Sequence, residues 1–336
     1  MLSYVMTRAL TLALALGTTL TGVANLAALP AARAQGAAAR AQGAALAQSN
    51  SSSTETSPLW EVHLHLQKSF ASPIGQRVMA MVEKNEPDKV DKVVKFAEAI
   101  GLDPRTDISE VVLFGDGFEE TDATLIAGLG QSTGNLEGWI LAAPGYRSEE
   151  LDANTQLHSM TVEDKNARAW FALPKHTQTG NYVLVASLDQ GRTVQLAKEV
   201  LAGNLLPVPN PLKGNTILSF FVNDLSAVPM DIDDNEPGSA IVRIIEQFGL
   251  NVASDNDKLS LVVDISASSA GKARQLSQLL TGLKALVQLA PLDKPEAQKA
   301  AAVLETLVVD YTEGESTVQA SMSATYRILE ELIQSM

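Results

Sequence analysis

The side chains whose types and spacing could do chemistry are few. His63 and His65 lie two apart in WEVHLHL at 60–66, and on a strand that spacing points both imidazoles to one side. Two such rings can begin a metal site, with a third ligand from His158 or His176, the remaining histidines of the chain. Gly130-Gln131-Ser132-Thr133-Gly134 matches the G-x-S-x-G elbow, in which a strained turn exposes a serine hydroxyl beside backbone N–H donors. Asp231, Asp233 and Asn235 place oxygens at the opening spacing of an EF-hand calcium loop.

Each motif also has a reading that needs no chemistry. Alternation of Trp60, Val62, Leu64 and Leu66 with polar residues makes 60–66 a half-buried strand with His63 and His65 facing water. The strand before Ser132 pairs most simply in a hairpin, whereas the elbow belongs on a central parallel strand, so Ser132 or Thr133 is expected to cap the next helix. In the acid cluster Glu236 stands where the calcium loop needs Gly, and Val242 where it needs Glu. That leaves a solvated acidic loop before a helix start. No Walker A run, Rossmann fingerprint or HExxH helix occurs. No catalytic residue and no cofactor is assigned, and the metal candidates are His63, His65, Asp231, Asp233 and Asn235.

The elements that must position these residues read as α+β: two lobes, each a mainly antiparallel sheet covered by amphipathic helices. After the first strand, Ser72-Pro73 opens a helix, and Val90, Val93, Val94, Ala97 and Ile100 line a second one that ends at Gly101. Strands follow near 108–114 and 122–128, joined through Gly115–Thr121, then a short helix near 135–143 and strands near 156–162, 168–173 and 181–187. A helix at 191–202 closes the first lobe, 58–203. Residues 204–215 hold three prolines and read as a linker. The second lobe, 216–336, opens with a strand at 216–223. It continues with a helix through Ile241, Ile244, Ile245 and Phe248 ended by Gly249, and a strand at 258–265. Helices near 271–290 and 295–304, a hairpin at 306–322 turning through Glu313-Gly314 and a C-terminal helix from 325 complete it. AEAIGLD at 97–103 and IEQFGLN at 245–251 end alike, and the same shift carries the hairpin 306–322 onto 158–174. Two readings account for the match: an internal duplication, or the chance alignment of common glycine C-caps.

Three stretches resemble a family of uncharacterised exported bacterial proteins. They are Ala71-Ser72-Pro73-Ile74-Gly75-Gln76, then Gly101-Leu102-Asp103-Pro104-Arg105-Thr106-Asp107-Ile108 leading into Val111–Gly115, and the apolar helix Leu279–Leu289. The resemblance covers most of the mature chain and implies export and the fold. It implies no activity.

Export is also written at the start of the chain. Arg8, the apolar core Ala9–Leu20 and Ala32-Arg33-Ala34 make residues 1–34 a secretory signal, with a second cleavage site after Ala41 in the repeated block ARAQGAA. Residues 35–57 are polar and aperiodic, a disordered tether. The absence of Cys excludes a lipobox, disulfides and thiolate chemistry. The location expected is periplasmic or extracellular, without lipid anchor or membrane span after cleavage. A net charge of −14 repels phosphate backbones, and 5% aromatic residues leave little to stack on bases, so nucleic acid is not a partner. The reading that results is an exported non-catalytic binding protein or envelope scaffold, of unknown ligand. A metal- or Ser-dependent hydrolase and a carrier of an apolar ligand stand as alternatives.

Overall fold

Twelve strands, most of them alternating or continuous apolar runs, stand in a computed structural model that describes residues 58–85, 101–117, 122–142, 145–162, 167–204, 212, 214–227, 243–255, 258–289 and 295–328. They form one antiparallel sheet in the order β11-β12-β10-β9-β8-β1-β2-β3-β7-β6-β5-β4, so the expectation of a separate sheet in each lobe is corrected. The chain divides into two compact units. One holds His63–Ala71 and Gly75–Pro211, and the other holds residues up to Val62, Ser72–Ile74 and Leu212–Met336. The signal 1–34, the tether 35–57, the helix through Val90–Ile100, most of the 204–215 linker and the cluster Asp231, Asp233, Asn235 lie outside the described residues.

In the first unit, β2 (Ile108–Gly115), β3 (Ala123–Leu129) and β7 (Val183–Ser187) are near-continuous apolar runs, as strands covered on both faces must be. β6 (Ala167–Ala172), β5 (Thr155–Val162) and β4 (Arg147–Asp152) extend the ladder. Register places Val112, Ile126, Val185, Ala172 and Leu157 in one row. Helix α4 (Gln190–Leu201) lays Leu196, Ala197 and Val200 against that face, each almost fully buried. Leu196 and Val200 each contribute about 1.5–3 kcal/mol by leaving water, and the Ala197 methyl contributes less. The helix starts because the Asp189 side chain accepts a bond from Arg192 N–H, replacing the partner its first turn lacks. Helices α1 (Leu66–Ala71), α2 (Pro73–Asn85) and α3 (Leu136–Leu141) precede it.

The second unit corrects the sequence reading at one element. Residues 245–251 do not end a helix; they form β9 (Ile245–Ser254), paired to β8 (Thr216–Val222) and β10 (Lys258–Ala267). Ile241, Ile244, Ile245 and Phe248 fit a helical stripe, but Phe248, Leu250 and Val252 alternate with Gln247, Gly249 and Asn251. With ladders available on both sides, the period of two prevails. Gly249 carries no positive φ. Its lack of a side chain serves close approach instead, because a Cβ there would meet Phe221 Cε1 at 2.7 Å. Gly101, by contrast, has φ +66°. The two glycines that suggested a duplication therefore occupy different backbones, and the duplication is not shown.

β12 (Thr317–Thr325) and the short edge strand β11 (Val308–Tyr311) form the expected hairpin, with Gly314 at φ +92° in its turn. One face of β8–β9–β10–β12 carries Val252, Leu259, Ile265 and Val318. Helix α5 (Ala270–Leu289) covers part of that face with Ala273 and Leu276, and helix α6 (Pro295–Glu305) follows it. The other face carries Ser219, Phe221, Gln247, Asn251, Asp264, Ser266 and Gln319.

Candidate functional site

β1 (Trp60–Leu64) sits sixth from the end of the sheet order, an interior strand. The expectation that its polar side faces water is corrected: Glu61 and His63 are each only 1% exposed, whereas Trp60 and Val62 are half-buried. An interior strand is covered on both faces, so alternation no longer separates core from solvent.

His63 Nε2 lies 2.6 Å from Glu110 Oε2 on β2, and the Glu110 side chain is 46% exposed. The hydrogen bond to His63 holds the Glu110 carboxyl below the usual carboxylate range. Burial opposes that shift, and the charges of His63, His65 and Lys68 reinforce it. His63 Nδ1 is buried without a hydrogen-bond partner. Glu61, two residues earlier on the same side of the strand, is pushed by burial up to about 8, so it carries its proton at neutral pH. Its Oε1 likewise has no partner. His65 ends the strand and starts α1: its carbonyl accepts Ser69 N–H at 2.9 Å and the Ser69 hydroxyl at 2.8 Å, and its Nδ1 faces Lys68 N at 3.4 Å. Burial first, then Lys68, pull the His65 imidazole downward, partly offset by Glu110.

The structure therefore gives His63 and His65 separate partners. Among the described residues no group of three His, Asp or Glu side chains is arranged to hold a metal ion. His158 lies elsewhere, buried with Nδ1 at 3.0 Å from Tyr146 Oη and Nε2 at 3.9 Å from Glu137 Oε1. His176 Nδ1 accepts Gln178 N–H at 3.3 Å and Thr179 N–H at 3.2 Å, closing its own turn. Ser132 Oγ accepts Gly134 N–H at 3.0 Å, and the residue that precedes helix α3 as its cap is Asn135, which makes no side-chain cap bond. The expected caps, Ser132 and Thr133, are thus replaced by a local serine turn. In the GLDPRTD stretch the carboxylates also bind their own loop, Asp107 accepting from Asp103 N–H at 2.7 Å and Asp103 from Arg105 N–H at 2.9 Å.

Sequence reasoning passed over Glu61 and Glu110. Both left a signal: an acid inside an otherwise apolar strand, Glu110 in ISEVVLFG and Glu61 in WEVHL. Buried acids need a partner or a proton. Chemically, the His63–Glu110 pair can hold a proton between an interior imidazole and a solvent-reaching carboxylate, while Glu61 keeps one in place.

No protein-family model matches the chain, and no curated protein matches it. The chain is similar to solved structures of TP0453 from Treponema pallidum. Crystal form IV gives a TM-score of 0.45 at 7% identity, covering 83% of this chain and 93% of that one. Form III gives 0.41 at 8% identity, covering 84% and 100%. Form I gives 0.37 at 8% identity, covering 84% and 98%. Similarity this distant assigns neither a family nor an activity.

Proposed function

We propose that the protein is exported and acts by non-catalytic binding, as a ligand-binding or scaffold component of the cell envelope. One observation carries this reading: Ser132 and three of the four histidines are engaged in structural bonds within their own segments. Ser132 closes its own turn, His176 closes another, His65 starts a helix, and His158 packs against Tyr146. Productive catalysis needs a nucleophile and a base within hydrogen-bond reach of each other. Export is supported by the signal-like residues 1–34. No described helix is long and apolar enough to cross a membrane.

The test is a hydrolase panel of esters, phosphoesters, peptides and glycosides run on the purified mature protein. No turnover above the buffer blank is expected. Turnover that disappears in Ser132→Ala would overturn the proposal. A second, proton-transferring reading is favoured by the buried Glu61 and the His63–Glu110 pair alone, since perturbed groups gather at reactive sites. The same panel decides it, with turnover lost in Glu61→Gln or His63→Gln as its signature.

A further inference from the structure

In the second unit, the polar face of β8, β9, β10 and β12 carries three buried oxygen atoms without a hydrogen-bond partner. Gln247 and Ser266 stand directly opposite each other in the β9–β10 register. They are 5% and 1% exposed, and Gln247 Oε1 and Ser266 Oγ have no hydrogen-bond partner. Ser219 Oγ, on the same face of β8, is in the same condition. A buried polar atom left unmatched costs about 1–3 kcal/mol, so a ligand that supplies hydrogen bonds to these three gains from each of them.

One row along lies Asp264. Its carboxylate accepts Gln319 Nε2 at 2.7 Å and Asn251 Nδ2 at 3.4 Å. Among the described residues the ion pairs lie elsewhere and none neutralises it. Phe221 and Asp264 flank Gly249 in register, and the Phe221 ring lies across that glycine, within 2.7 Å of where a Cβ would stand. Asp264 and Ser266 are two residues apart on one strand, so about 7 Å separates them.

We infer that this face, between Phe221, Asp264, Gln247 and Ser266, binds a small organic molecule through a primary ammonium group. An ammonium brings three donors and no acceptor, which answers a carboxylate, an amide oxygen and a hydroxyl. A neutral polyol leaves the charge of Asp264 uncompensated, and an anion is repelled by it. The alkyl part of the ligand and its charge both suit an adjacent aromatic ring. The net charge of −14 also draws cations toward the protein.

The inference rests on the binding reading above and names the class of ligand. It is tested on the mature chain with n-butylammonium as probe, by saturation-transfer NMR and calorimetric titration, with n-butanol and glucose as neutral comparators. Saturable binding of the ammonium alone is expected, weakened about tenfold or more in Asp264→Asn and also in Gln247→Leu. Asp264→Asn keeps the shape and an acceptor for Gln319. If that variant fails to fold, Gln247→Leu and Phe221→Leu carry the test. No saturable binding, binding unchanged in the variants, or preference for glucose overturns the inference. The turnover panel is independent: a blank panel with no ammonium binding sinks only this ligand class, whereas turnover sinks the binding reading itself.

Discussion

Glu61 is a carboxylic acid held neutral by burial, and that fixes the sign of its contribution to stability. Its folded value of about 8 lies above the ordinary 4.5, so the folded chain holds a proton that the unfolded chain releases between those values. Stability from this group is fully present below pH 4.5. It declines as pH rises and levels off above about 8. Glu61→Gln, which copies the neutral form, is expected to lose that slope. In urea titrations it should match the parent at pH 4.5 and exceed it at pH 8.5, by up to about 5 kcal/mol on the linkage relation. Glu110 has the opposite sign. Its carboxyl is depressed, so the His63 bond stabilises above the ordinary value, and this is lost as pH falls through the folded value. The parent should therefore be more stable than Glu110→Gln at pH 7, with the gap closing on acidification below 4.5. A constant gap across that range would mean that the bond to His63 is not what lowers Glu110.

At the scale of elements, Gly249 separates the two readings of its segment. In β9 the glycine exists because the Phe221 ring lies over it. Gly249→Ala is expected to cost about 1–3 kcal/mol through forced displacement of that ring, and distinctly less in a Phe221→Ala background. A helix-ending glycine would show the same cost in both. Asp189→Ala should cost about 1 kcal/mol by removing the cap of α4, measured as a shift in the urea midpoint at constant slope. Elements with one unambiguous period were readable beforehand. α4, α5, the core strands of the first unit and the β11–β12 hairpin fall within a few residues of their predicted positions. β9 was misread because its apolar residues satisfy a helical stripe and a strand alternation at once, and only its neighbours decide between them. β4 was missed because RSEELD at a sheet edge buries almost nothing and so leaves no hydrophobic trace. His63 was placed in water because alternation marks a face as polar without saying what covers it. Glu110 became a site residue only through pairing between β1 and β2, a contact 47 positions apart in the chain.

At the scale of the whole molecule, the expected export gives a direct measurement. N-terminal sequencing of protein recovered from the extracytoplasmic fraction should begin after Ala34 or Ala41. An intact Met1 in that fraction would remove the export argument. The strand β4, last in the sheet order, has a further consequence at this scale. A wide antiparallel sheet that stopped on a bare hydrophobic border would recruit the same border of another copy and grow into fibres. Arg147, Ser148, Glu149 and Glu150 all stand exposed along that border, so two such rims brought together would crowd like charges and strip their hydration. Replacing Glu149 and Glu150 by valine should turn this quiet margin into a template for self-assembly, seen as rising light scattering. That short run of acids is therefore expected to leave this edge of the sheet unpaired.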